Sequence, residues 1–238
     1  VDSERDGHRV AFNQAFEEFG RPDRWDEDLY GQLLDVTGGK RRLHAWLARQ
    51  GMPEHERDEL VPRLHARKNE IFTQLAIDGK VPVRPGVSRL LDELGDEGAR
   101  LAVATTGSRD WVEPLLARQF GAGRFEVMVT ADEASERKPD PQAYDLVLEK
   151  LGLAPAEAVA VEDAAPGLAA AKAAGLACVV VVNDYTAGHD LSAADLVLDS
   201  FGEVDAPAGV LADPHHLDPP GRLDAATLRR LAGPSGRG

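Results

Sequence analysis

The sequence predicts an α/β protein: a doubly wound, Rossmann-like parallel sheet preceded by a small helical domain. Three observations carry this expectation. From residue 87 to residue 198 helical and extended patterns alternate, the order that feeds a parallel sheet through crossover helices. Apolar runs such as 158–161 and 178–182 are short and nearly continuous, as strands covered on both faces must be. Up to Gly79 nothing reads as a strand.

The elements follow in order. Asp2 or Ser3 is placed to cap a first helix, on which Val10, Phe12, Ala15, Phe16 and Phe19 recur at helical spacing until Gly20 and Pro22 end it. A short helix spans about 26–34, a third resumes at Leu43, Trp46 and Leu47, and a fourth occupies part of 57–77. Pro62 is expected to mark that helix's first turn or a break. Two prolines in Val81-Pro82-Val83-Arg84-Pro85-Gly86 make a stiff connection. Helices over 87–97, 110–120, 141–151 and 168–174 then alternate with strands over 100–105, 127–130, 159–161, 178–182 and 196–198. The expected division is a helical domain over 1–80, an α/β core over 84–201, and a loosely attached Gly-, Pro- and Asp-rich tail over 202–238 with one short helix after Asp224.

Composition narrows the class. At 238 residues with a formal net charge of −14, the chain is disfavoured as a partner of nucleic acid or anionic membranes. An anionic small substrate stays open, because the pocket's own charges decide that. No window reaches the roughly eighteen apolar residues of a membrane span, and residues 1–20 lack the pattern of a secretory signal, so a cytoplasmic location and a monomer are expected. Cys178, the single cysteine, lies in an apolar run and reads as a buried, reduced thiol.

Four stretches could carry chemistry. The run 158–161 ends in Glu162-Asp163, at the strand edge where open α/β sheets bind ligands, and adjacent carboxylates there suit a hard cation such as Mg²⁺. Acidic residues also close strands merely because the chain leaves the core. Thr105-Thr106-Gly107-Ser108 offers hydroxyls and backbone N–H groups suited to phosphoryl oxygens, or, with Asp110, ordinary caps for the next helix. Lys138, just ahead of Pro139-Asp140-Pro141, is either a fixed point charge or a solvated surface lysine. Thr37-Gly38-Gly39-Lys40-Arg41 is not a Walker loop, and reads as a grip for a second anionic group or as an interhelical turn. Motifs of zinc peptidases, α/β-hydrolases and dinucleotide enzymes are absent from the sequence.

Taken together, 101–106, Lys138-Pro139-Asp140-Pro141 and Val161-Glu162-Asp163 with Pro166-Gly167 resemble the second, third and fourth motifs of the haloacid dehalogenase-like (HAD) hydrolases. The helical domain resembles the cap those enzymes insert after their first strand. Within that superfamily the chain is similar to the CbbY-type sugar-bisphosphate phosphatases, beside β-phosphoglucomutase, through Glu4 with His8-Arg9-Val10-Ala11-Phe12-Asn13, Val36-Thr37-Gly38-Gly39-Lys40 and Asp195-Leu196-Val197-Leu198-Asp199-Ser200-Phe201. The resemblance implies Mg²⁺-dependent phosphoryl transfer through an aspartyl-phosphate, on a small phosphorylated sugar such as xylulose 1,5-bisphosphate. It implies that Thr105 binds the transferring phosphoryl group, with Thr106 and Ser108 beside it, and that Lys138 holds nucleophile and phosphate together. Asp163, helped by Glu162, would hold Mg²⁺; Lys40 and Arg41 would meet the distal phosphate, with Glu4 and His8 near the sugar.

The chain departs from the pattern at the first motif. No Asp-x-Asp-Gly-Thr follows a strand in the sequence; Asp26-Glu27-Asp28 lies among helices. The expectation is a truncated, inactive reading of a longer product, with a catalytically dead phosphometabolite-binding relative as the alternative and a phosphosugar mutase as the alternative activity. Dehalogenation is disfavoured, since it leaves Glu162-Asp163 without a purpose. Because the first strand of that superfamily lies mid-sheet, β-structure ending at Thr105 and at Asp163 is expected to stay unpaired across a gap, or to collapse around it.

Overall fold

The computed structural model describes residues 1–232. The chain divides into two compact units, Val1–Val83 and Arg84–Gly238.

The first unit is helical. A π-turn at Glu4–His8 runs into α1 (Arg9–Glu18), followed by α2 (Glu27–Leu33), α3 (Gly39–Arg49) and α4 (Glu54–Ile77). Ser3 makes no side-chain cap; the His8 N–H instead reaches back five residues to the Ser3 carbonyl at 2.6 Å, which is what widens this turn. Asp26 does cap α2, its carboxylate accepting from the Leu29 N–H at 2.8 Å. Pro62 neither starts nor breaks α4, which begins at Glu54 and continues through it to Ile77. The α1 stripe buries Ala11, Phe12, Ala15 and Phe16, and Trp25, Tyr30, Leu43, Leu47, Leu64 and Phe72 are buried in the same unit. Trp25 sits 4.7 Å from the Phe12 ring and edge-on to Phe16 at 5.0 Å. Its backbone is clamped by Asn13, which donates to the Trp25 carbonyl and accepts from its N–H, both at 2.8 Å.

The second unit is mixed α/β. Its elements are α5 (Val87–Asp96), β1 (Ala102–Ala104), α6 (Arg109–Phe120), β2 (Val127–Val129), α7 (Gln142–Leu151), β3 (Val159–Glu162), α8 (Ala165–Ala173), β4 (Ala177–Val181), β5 (Leu196–Leu198), β6 (Val210–Ala212) and α9 (Ala225–Leu231). β1 and β2 form one parallel pair, while β3, β4 and β5 run parallel in a second sheet that β6 joins antiparallel to β5. Among the described residues β1 and β3 share no hydrogen-bonded register, so the split anticipated from the sequence is present. One helix underlies both sheets. Tyr144 and Leu148 of α7 pack with Ala160 of β3 and Cys178 of β4, whereas Ala143, Val147 and Leu151 of the same helix pack with Val129 of β2. The opposite face of the larger sheet is covered by Leu90 of α5, against Val179, Val181, Leu196 and Leu198.

Two further expectations need correction. α8 begins at Ala165, with Pro166 and Gly167 inside its first turn, because a proline there forfeits no helical hydrogen bond. The segment after Gly202 is not loosely attached up to Ala232: it adds β6 and α9, and buries Leu217, Leu223 and Leu228 against the sheet. Arg89 fastens it, one guanidinium nitrogen donating to the carbonyls of Phe201, Gly202 and Leu223 at 3.0–3.1 Å. Residues 233–238 lie outside the described part. Among the described residues no helix is long and apolar enough to cross a membrane.

Candidate active site

In the α/β unit the site forms where β1 and β3 end. Thr105 follows β1 directly; its N–H donates to the Val129 carbonyl at 3.0 Å, and its Oγ1 accepts from the Gly107 N–H at 3.1 Å. Thr106 is exposed. Ser108 stands at the N-cap position of α6 yet makes no cap: its hydroxyl turns to Asp110, and the Arg109 N–H is met by Asp132 at 2.9 Å. The capping alternative for this loop therefore belongs to the strand β2 side of the unit, which frees the Thr105–Ser108 turn from that task.

Lys138 is not a solvated lysine. Its ammonium donates to the Ala104 carbonyl at 3.0 Å, the last residue of β1, and pairs with Glu162 Oε1, the last residue of β3. Lys138 and Glu162 side chains are only 15% and 10% exposed, so the pair is largely withdrawn from water. The Tyr144 hydroxyl donates to the same Oε1, and its ring lies 4.9 Å from the Lys138 nitrogen. Burial and the neighbouring Glu162 charge push the Tyr144 hydroxyl far above its ordinary range, so it remains a donor. Glu162 Oε2 packs on Gly167, where an added Cβ would come within 2.0 Å of it, so a side chain there would displace the carboxylate. Asp163 diverges from Glu162, being exposed, with one oxygen accepting from Asn183 Nδ2 at 3.2 Å. The Asn183 carbonyl oxygen is occupied by the Tyr185 N–H at 2.9 Å, which fixes the amide with its NH₂ toward Asp163.

In the helical unit Glu4 and His8 belong to a second polar cluster. Glu4 Oε2 accepts from the Tyr30 hydroxyl at 2.6 Å, and that hydroxyl accepts from Arg42 at 3.2 Å. Arg42 is buried, its Nε donating to the Leu33 carbonyl at 3.0 Å, whereas Lys40 and Arg41 are exposed. Lys68, also buried, donates to His8 Nδ1 at 2.9 Å and lies over the Phe12 and Phe72 rings at 4.9 and 5.2 Å. Burial, then nearby Arg42, lower the Lys68 ammonium to about 8 against the pull of Glu4. Burial and Lys68 also hold His8 well below its usual value, so its ring is neutral. His65 is brought to about 4 by burial, then by Lys68 and Lys40, and its Nε2 stands 2.7 Å from where a Cβ on Gly39 would lie.

The structure thus brings Lys138 and Glu162 together beside Thr105, and Glu4 and His8 into one cluster with Lys68. It adds Tyr144, Asn183, Arg42, Lys68 and His65, which the sequence reading passed over. Only Arg42 had a local signal, as the third base after Gly39 and the one that returns to the helix's buried face.

A family model described as haloacid dehalogenase-like hydrolase matches residues 1–175. Fold, motif order and this match make the chain a haloacid dehalogenase-like hydrolase. Within that superfamily it belongs with the CbbY proteins: it is 40% identical over 210 residues to protein CbbY of Cereibacter sphaeroides, covering 85% of this chain and 89% of that one. It is 41% identical to a CBBY-like protein of Arabidopsis thaliana, of which it spans 66%. Crystalline CbbY from Rhodobacter sphaeroides, as a variant in complex with xylulose 1,5-bisphosphate, superposes with a TM-score of 0.66 at 38% identity, over 81% of this chain and 86% of that chain. A putative β-phosphoglucomutase from Thermotoga maritima superposes at 0.63 with 28% identity, over 80% and 85%.

Proposed function

We propose that the protein is a Mg²⁺-dependent phosphatase of a small sugar phosphate or bisphosphate, with xylulose 1,5-bisphosphate as the first substrate to test. The observation that carries this reading is the placement of one ammonium, that of Lys138, against the terminal residues of both β1 and β3, next to Thr105 and Asp163. An ammonium so placed offsets charge on a phosphoryl group. With the Thr105 and Gly107 N–H groups committed to Val129 and to Thr105 itself, the turn would meet phosphoryl oxygens through its hydroxyls and the N–H groups of Thr106 and Ser108. The CbbY relative crystallised with xylulose 1,5-bisphosphate supports the choice of substrate. By itself, the buried cluster of Arg42 and Lys68 supports recognition of a second anionic group, with the exposed Lys40 and Arg41 as further candidates.

The donor set for Mg²⁺ is partial but of the right kind. Among the described residues no cluster of three His, Cys, Asp or Glu side chains is present, and Glu162 is committed to Lys138 and Tyr144. Asp163, exposed and bound through one oxygen to Asn183, is the carboxylate not engaged by Lys138, and Mg²⁺ is commonly held by one or two carboxylates plus water and substrate phosphate. Asp163 would hold it, Asn183 would orient Asp163, and Glu162 would act as the counter-ion of Lys138. When bound, Mg²⁺ supplies neutralisation of phosphoryl charge.

The reading assigns the nucleophile and the general acid to an Asp-x-Asp strand beside β1 and β3, which share no ladder with each other among the described residues. The test assays a protein that carries such a strand together with residues 1–238. Release of inorganic phosphate from xylulose 1,5-bisphosphate, dependent on Mg²⁺, is the expected result. Isomeric monophosphates without phosphate release would instead favour the mutase reading, which the Thermotoga neighbour keeps in play. Binding without turnover would favour a binding protein.

A further inference from the structure

We propose that Tyr144 is a positioning residue that keeps the Lys138 ammonium available to a phosphoryl group by sharing Glu162 Oε1 with it. The proposal rests on the reading of Lys138 as the phosphoryl-binding cation.

An ammonium has three N–H donors. Lys138 spends one on the Ala104 carbonyl and one on Glu162 Oε1, which leaves the third for a ligand. A carboxylate this secluded, 10% exposed and with its Oε2 packed against Gly167, would ordinarily claim the lysine outright. Tyr144 changes that balance in two ways. Its hydroxyl donates to the oxygen that the ammonium uses, so the negative charge on Oε1 is divided between two donors. Its ring lies beneath the ammonium at 4.9 Å, an attraction that holds the nitrogen in place without occupying an N–H. The ring itself is fixed: Tyr144 is 8% exposed and packs with Leu148, Ala160 and Cys178. Without the hydroxyl, both lone pairs of Oε1 would turn to Lys138 and draw it away from the ligand.

The experiment measures orthophosphate affinity by calorimetry for the chain and for Tyr144→Phe, Glu162→Gln and the double variant, each checked by thermal melting. Tyr144→Phe keeps the ring and should fold. It is expected to weaken orthophosphate binding about fivefold. In the Glu162→Gln background the same change should alter binding by less than about twofold, because the residue through which Tyr144 acts is gone. An equal effect in both backgrounds, or none in either, overturns the proposal. A second readout does not depend on phosphate: the Lys138 ε-methylene protons should resonate upfield in the parent and in Tyr144→Phe, and return to ordinary shifts in Tyr144→Leu. Ordinary shifts in the parent also overturn it. If neither the chain nor Lys138→Met binds orthophosphate, the phosphoryl reading falls, while the methylene shifts still decide whether Tyr144 holds Lys138.

Discussion

Lys138 and Glu162 form an ion pair that ties together the ends of two strands, β1 and β3, that are not themselves hydrogen-bonded. The pair is buried enough that its partners are not independent. Lys138→Met leaves a secluded carboxylate without its cation and should cost about 3 kcal/mol in urea unfolding. Lys138→Met with Glu162→Gln should recover at least half of that loss. A single variant as stable as the parent would show that the pair is solvated.

Asp163→Asn tests the proposed cation site separately from the ion pair. It should leave the melting temperature in Mg²⁺-free buffer within about 2 °C, since Asp163 is exposed, and abolish Mg²⁺-dependent turnover in the protein that carries the Asp-x-Asp strand. Asn183→Leu should raise the Mg²⁺ concentration needed for half-maximal turnover about tenfold, as loss of an orienting partner does. Unchanged Mg²⁺ dependence in both variants would remove the role assigned to this carboxylate.

The helical unit should be acid-sensitive through its histidines. His65 in the folded chain takes up its proton only near pH 4, against an ordinary 6.5, and His8 is shifted the same way. Between those limits the unfolded chain binds more protons, so stability falls as pH drops from about 6.5 toward 4 and gains nothing from these groups above 6.5. Melts at pH 7.0, 5.5 and 4.5 should therefore show a smaller acid loss for His65→Gln than for the parent. An equal loss would mean that His65 titrates normally.

The segment after Gly202 should be structural. Leu223 is fully buried and its carbonyl is held by Arg89, so Leu223→Ala should destabilise the α/β unit by about 3 kcal/mol. A loss under about 0.5 kcal/mol in urea unfolding would return the segment to a loosely held tail.

What the sequence disclosed and what it hid follow from range. Short apolar runs bounded by helices revealed β1 to β5, because each signal lies within one strand. β6 escaped, since Val210, Leu211 and Ala212 are all exposed and carry no alternation. The start of α8 was misread because Pro166-Gly167 looks like a breaker when the first-turn exemption is overlooked. Thr105, Lys138, Glu162 and Asp163 were legible as candidates through motif order. Tyr144 and Asn183 were not, because they reach Glu162 and Asp163 across 18 and 20 residues, and nothing local marks a tyrosine on an amphipathic helix as more than core. Lys68 escaped for the same reason: within α4 it is one base among several, and only its placement against His8 and two phenyl rings sets it apart.

Ala143 and Tyr144, adjacent along α7, look toward different sheets. That single rod therefore yokes the two strand groups mechanically despite the broken ladder between them. Loosening either group tilts the support of the other, so the α/β unit should come apart in one cooperative step, with no stage at which one half survives alone.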